Sequence, residues 1–479
     1  MMEMVIGGNK VVSSSGKTID VSNSYTQEVI DSVPAASKED VQKSVFIADK
    51  GKKTWENTPL YKRVEIIHKF LANLADYRDA LGALMSKETG KLLNDCKGEV
   101  DYVIDGFKGY IEIASHRLDE ILPAENRPGA ESDITLTYRV PIGIIACILP
   151  FNYPLALFVH KVAPAIVTGN VVIIKPPSES PLAITRLVQI MIESGIPGDV
   201  VQVVTGSGSE VGYELASNPL VDAVSLTGSV ETGLRIAECA AKNLKRTFLE
   251  LGGNDALIIF RDADIDKAVN IVFGGRIANA GQICAASKRV LVHNSIKKEF
   301  TERLVEAFKN IKYGDPMDPN TEMGCLVSVK AAEKVEEQVN LTISQGAKCL
   351  CGGMRDKSLF APTVLADVTL DMDIATDMEV FGPVVPILGF DTIDEAINIA
   401  NAQKYGLQHA IVTPDISLAL KTAKRLDAGG VVINGPNSFR THDIAFGGHK
   451  MSGMGVEGMS HTMDEMTLLK NFVLKDIYA

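Results

Sequence analysis

The chain has 479 residues, 46% hydrophobic and 23% charged, which is a globular composition in a length too great for one compact core; two or three domains are expected. A formal charge of −12 argues against nucleic acid or an anionic membrane as the main partner. Residues 1–7 show no basic stretch leading into an apolar one, so no secretory signal is expected, and the longest apolar run, 140–151, is too short and too broken by Pro and Gly to span a bilayer. Seven scattered cysteines predict reduced thiols and a cytoplasmic protein rather than a disulfide framework. Cys349 and Cys351 form a Cys-x-Cys pair with no second pair nearby to complete a zinc site, so no metal is expected.

In chain order, residues 1–35 are polar and β-prone and read as a short hairpin. From Lys38 to Arg117 the spacing is helical, with Ile66, Phe70, Leu71 and Leu74 on one face. Ser37, three residues before Asp40, is an N-cap candidate with an acid in the first turn. After Pro141, apolar runs at 142–149, 170–174, 200–204, 223–226 and 247–251 alternate with helical segments at 154–168, 181–194, 209–217 and 229–241. That alternation predicts a parallel sheet buried on both faces. A second alternating region spans 255–432, with strands at 256–260, 289–292 and 384–390 and helices at 297–309 and 330–345. Residues 467–474 read as a strand that pairs outside its own domain. The fold class is therefore α/β, with two α/β domains.

Several residues have chemistry to offer. Cys284 follows Gly281-Gln282, a prelude that favours a turn, and a thiol there can attack a carbonyl. Glu250 ends an apolar strand before Gly252-Gly253, where paired glycines permit close backbone approach. Lys175 and Asn152 lie at or just past the carboxyl ends of strands, where parallel sheets bind ligands; a solvated strand end explains Lys175 equally well, and an ordinary Pro-flanked turn explains Asn152 better when it is taken alone. Thr227-Gly228-Ser229 sits between a strand and a helix and suits either a pyrophosphate or an ordinary N-cap. Glu379 and Phe381 flank another tight turn at Gly382-Pro383.

Taken in this order, these segments resemble the aldehyde dehydrogenase superfamily over residues 11–474, most specifically through Leu249-Glu250-Leu251-Gly252-Gly253 and Gly281-Gln282-Ile283-Cys284. The resemblance implies a Rossmann-like cofactor domain from 1–119 and 139–250, a catalytic domain from 251–457, and a β-arm for oligomerisation from 120–138 and 458–479. A homodimer or homotetramer is implied, since extended arms otherwise leave unpaired edges. It also implies that Cys284 captures an aldehyde as a thiohemiacetal, that Asn152 holds the oxyanion, and that Glu250 activates the water that hydrolyses the thioester. Lys161 would tune Cys284 and Glu250 through its charge. Lys175, Ser178, Thr227, Gly228, Ser229, Leu251, Glu379 and Phe381 would bind NAD or NADP, with Glu379 on the nicotinamide ribose.

Departures from the family pattern refine the expectation. Ser178 stands where NAD-preferring relatives often carry glutamate, and a hydroxyl tolerates a 2′-phosphate, so NADP is expected to be accepted. Glu250 favours water over coenzyme A as acyl acceptor. The stretch 437–448 resembles a branch that includes lactaldehyde and non-phosphorylating glyceraldehyde-3-phosphate dehydrogenases. Its phosphate-handling members place arginines where this chain has Ile283 and Tyr102. Small uncharged or hydroxylated aldehydes such as lactaldehyde rank first. A semialdehyde whose distal carboxylate meets Arg440 ranks second, alongside glyceraldehyde-3-phosphate. A non-catalytic structural protein on the same fold, the remaining alternative, predicts damaged chemistry, yet Cys284, Glu250 and Asn152 are all present.

Overall fold

Buried β-branched runs alternating with helices build two separate sheets in the computed structural model, which describes residues 1–117, 119–122 and 127–477. The expected arm residues at 123–126 and 478–479 lie outside the described residues.

The first sheet has eight strands. Its five central ones are parallel and run, side by side, Val201–Val203, Val171–Lys175, Ile144–Ile148, Ala223–Thr227 and Arg246–Glu250. The chain enters at Ile144–Ile148, winds outward through two strands on one side, then crosses to wind outward on the other. The crossover creates a crevice beyond the carboxyl ends of the strands. Each of these strands is buried on both faces except near Arg246, which explains their continuous apolar reading. Helix Pro154–Val167 is buried on nearly every side, with Pro154 in its first turn.

The second sheet has seven strands, in the order Lys348–Cys351, Thr363–Ala366, Val384–Phe390, Arg289–His293, Ala256–Ile259, Gln408–Val412 and Gly430–Ile433. All neighbours are parallel except the first pair. Each sheet has its own hydrophobic core. The sequence reading located three of these seven strands and did not resolve Gln408–Val412, Gly430–Ile433 or the two at the Lys348 edge.

Three other expectations shift. Residues 1–35 form two hairpins rather than one: Met4–Ile6 with Asn9–Val11, which extends the first sheet, and Thr18–Ser22 with Val29–Pro34. The segment from Lys38 divides into four helices, and the Ser37–Asp40 capping box is present at the start of the first. At the other end, Gly453–Met454 pairs with the edge strand Arg246–Glu250, and helix Met459–Glu465 buries Met459 and Met463 in the first core. The return of the chain covers an edge that would otherwise stay unpaired, so packing does not follow the expected boundary at 457. Thr467–Leu474 does pair away from both large sheets, with Ile134–Pro141 and through it Glu120–Leu122. Among the described residues no helix is long and apolar enough to cross a membrane.

Candidate active site

Lys175, Thr227 and Glu250 are each the last residue of a central strand, and Asn152 lies just past another. Residues preceding strands of the second sheet meet them: Cys284 before Arg289–His293, and Glu379 and Phe381 before Val384–Phe390. The approach depends on glycines. Gly281 has φ +74°, and a Cβ there would strike the backbone at Gly382-Pro383. A Cβ on Gly252 would strike the Glu379 carboxylate. Asn279 and Ala280 also adopt left-handed conformations, φ +49° and +51°, which side chains rarely accept. This strained turn delivers Cys284, half-buried, to the junction.

Two cavities meet at that junction. The larger, about 540 Å³, is lined by all eight residues expected at the cofactor: Lys175, Ser178, Thr227, Gly228, Ser229, Leu251, Glu379 and Phe381. The other, about 470 Å³, is lined by Tyr102, Tyr153, Ile283, Ser438, Arg440 and Phe446 among others. Cys284 and Asn152 line both. Glu250 faces the larger.

Local bonding prepares these groups. Asn152 donates from Nδ2 to the Gln282 carbonyl at 3.0 Å and accepts at its own carbonyl from Asn279 at 2.9 Å, so its amide is held against the cysteine loop. Glu250 is 4% exposed and both carboxylate oxygens lack a partner within the protein. Burial, reinforced by the nearby Glu457 carboxylate, raises it to about 7, with Arg440 opposing. Burial and the adjacent Glu250 push the Cys284 thiol well above its ordinary value, with Lys288 opposing.

In the larger cavity Ser178 Oγ lies 3.5 Å from Lys175 Nζ and donates to the Gly206 carbonyl. Burial lowers Lys175 to about 8, against the pull of Glu179, which lines the same wall. Ser229 caps helix Val230–Ala241 by accepting from the Thr232 N–H, so the turn is an N-cap, and it also faces the cavity. The buried Thr227 Oγ1 has no protein partner. Glu379 accepts at Oε1 from Lys288 at 2.6 Å and from the Gly253 N–H at 3.3 Å. Phe381 meets Phe151 edge-on at 5.9 Å. A cleft with a lysine and hydroxyls at one end, a helix N-terminus in the middle and a carboxylate beside aromatic rings at the other fits a dinucleotide.

Lys161 and Arg440 share one carboxylate, and Lys161 is among the charges that lower Glu250. Lys161, 1% exposed, lines neither cavity and bonds Glu457 at 2.6 Å; Arg440 Nη2 holds the other Glu457 oxygen at 2.8 Å. Against burial, these two cations keep Glu457 well below the usual carboxylate range. The leading cation at the thiol is Lys288, and Arg440 reaches the smaller cavity already paired. Sequence reading missed Glu457, Lys288 and the chain Tyr110–His160–Tyr102, whose hydroxyls bond the imidazole at 3.2 and 2.8 Å. No local pattern marks them, because each is defined by partners far away in the chain. Among the described residues no group of three or more His, Cys, Asp or Glu is placed to hold a metal.

A profile of the Aldehyde dehydrogenase family matches residues 11–472. The chain is 39% identical over 461 residues to a lactaldehyde dehydrogenase of Methanocaldococcus jannaschii, covering 95% of this chain and 97% of that protein. It is 36% identical over 462 residues to a 3-sulfolactaldehyde dehydrogenase of Priestia megaterium, covering 96% of each. Among solved structures, the glyceraldehyde-3-phosphate dehydrogenase GapN of Methanocaldococcus jannaschii, complexed with NADP, superposes with a TM-score of 0.91 at 38% identity, covering 95% of this chain and 99% of that one.

Proposed function

The chain belongs to the aldehyde dehydrogenase family and is an NAD(P)-dependent aldehyde dehydrogenase; on that premise we propose that it oxidises a three-carbon 2-hydroxyaldehyde, lactaldehyde first, to the free acid through Cys284. The observation that carries this reading is the thiol in the wall common to two cavities, one suited to a dinucleotide and one to a small aldehyde.

The Cys284 thiol gives up its proton to solvent, and Glu250, at about 7, stays free to act as a base on water near neutral pH. The Cys284 sulphur then adds to the aldehyde carbon. The resulting oxyanion is met by the Asn152 amide and the Cys284 backbone N–H. NAD(P), when bound, supplies the acceptor for the hydride that leaves this carbon, which becomes a thioester. Glu250 then removes a proton from water as it attacks the thioester carbon, and Cys284 departs as thiolate. Lys175 and Ser178 would hold the adenosine ribose, Thr227-Gly228-Ser229 the pyrophosphate, and Glu379 with Phe381 the nicotinamide end.

The substrate assignment rests on charge. Arg440 already bonds Glu457, Lys91 pairs with Glu99, and Asp95 also faces the cavity, so a phosphate dianion or a distal carboxylate would meet one engaged arginine beside a carboxylate rather than a cluster of cations. A hydroxyl suits the Tyr102 and Ser438 hydroxyls that line it. Lactaldehyde, 3-sulfolactaldehyde and glyceraldehyde-3-phosphate, named for the relatives, share a hydroxyl beside the aldehyde carbon. Ser178 beside Lys175 supports acceptance of NADP. The exposed Leu469, Phe472 and Val473 on the terminal strand support assembly into dimers or tetramers. An aldehyde panel run with NAD and NADP in parallel tests the reading. The expected result is highest kcat/KM for lactaldehyde, turnover with NADP, no requirement for coenzyme A, and no activity in Cys284→Ser. Preference for the phosphorylated or dicarboxylic substrate overturns the substrate assignment, and strict NAD selectivity overturns the cofactor assignment.

A further inference from the structure

Lys288 lies four residues after Cys284, is 1% exposed and lines neither cavity. Its ammonium has three donors, and three acceptors take them: the Cys284 carbonyl, the Gly253 carbonyl at 2.6 Å and Glu379 Oε1 at 2.6 Å. These acceptors belong to the three segments that meet at the junction, namely the nucleophile loop, the glycines after Glu250 and the turn before Val384–Phe390. A buried ammonium is costly unless paired. Here Glu379 pairs it directly, and the buried Asp255, one of whose oxygens has no partner, adds negative charge nearby. The charged and titratable groups acting on the thiol include Glu250, Lys288, Arg440 and Tyr153, and of the two cations Lys288 acts more strongly.

We propose that Lys288 is a positioning residue of the reaction, which fixes the Cys284 loop and the Glu379 carboxylate in one frame and transmits the charge at Glu379 to the thiol. The inference rests on the reading of Cys284 as nucleophile and Glu379 as a cofactor ligand. In the cofactor-free protein Glu379 offsets the Lys288 charge. Neutralising Glu379 while keeping its acceptor leaves that charge free to favour the thiolate. Glu379 is thereby linked to the nucleophile as well as to the cofactor cleft.

The test is the pH profile of Cys284 alkylation by iodoacetamide in cofactor-free protein, for the unaltered chain, Glu379→Gln, Lys288→Met and the double variant. Glu379→Gln is expected to move the profile to lower pH and to speed alkylation at neutral pH about threefold or more. Lys288→Met is expected to slow it about tenfold, and Glu379→Gln on that background to give no acceleration. Should Lys288→Met fail to fold, Lys288→Gln, alone and with Glu379→Gln, takes its place, because the amide removes the charge and keeps donors for the carbonyls. A Glu379→Gln profile identical to that of the unaltered chain overturns the inference, as does equal acceleration with Lys288 absent. If alkylating Cys284 leaves dehydrogenase activity intact, the nucleophile reading itself fails, which is a separate outcome.

Discussion

Replacing Glu250 with Gln separates the cost of the buried carboxyl from its use. The carboxyl moves from an ordinary 4.5 to about 7 on folding, a difference worth about 3 kcal/mol. Between pH 4.5 and 7 the unfolded chain has released this proton and the folded protein has not. Stability therefore falls as pH rises through that window and levels off above it. Gln carries no titrating proton and removes this slope. Any fixed cost of burying the amide is the same at every pH, so it cancels when two pH values are compared. Urea unfolding of both proteins at pH 5 and pH 8 is the assay, with the variant expected to gain roughly 2–3 kcal/mol relative to the parent over that interval. Steady-state turnover of the parent should fall about tenfold for each pH unit below 7 as the base is protonated. The variant should release one equivalent of reduced cofactor and then stop. A stability difference that is the same at both pH values would refute the argument that burial sets the carboxyl near neutrality.

Ser178→Glu should lower kcat/KM with NADP by roughly tenfold to a hundredfold, with NAD little changed, because a carboxylate would face the 2′-phosphate beside Lys175; parallel kinetics with both cofactors measure it. Asn152→Ala removes an oxyanion donor and should cost on the order of a hundredfold to a thousandfold in kcat with the fold retained, checked by pre-steady-state kinetics and circular dichroism. Lys91→Met leaves the buried Glu99 without its cation, and should destabilise by about 3–5 kcal/mol in denaturant titration.

The central strands and the ends that carry Lys175, Thr227 and Glu250 were legible because a buried parallel strand is a largely apolar run and each of these ends on a polar residue before a turn. Cys284 was legible from the glycine turn before it. What stayed hidden is long-range. Helices Pro154–Val167 and Leu182–Glu193 have no side-chain cap of their own. Instead Glu99 accepts from the N–H groups of Leu155 and Ala156, and Glu88 from those of Leu182 and Ala183, across 56 to 95 positions. Both acids sit in helices where local spacing marks them as solvated. Lys161 and Glu457 pair across 296 positions, and a carboxylate past a glycine-rich loop gives no sign that it will anchor two buried cations. The covered edge at Gly453–Met454 escaped for the same reason: two residues carry no periodicity.

The intact mass of Glu250→Gln, quenched in acid after one turnover with lactaldehyde and NADP, tests the covalent route most directly. The account predicts one lactoyl group per chain, on the peptide containing Cys284 and absent from Cys284→Ser. Reduced cofactor released with no adduct, or an adduct on another residue, would contradict it.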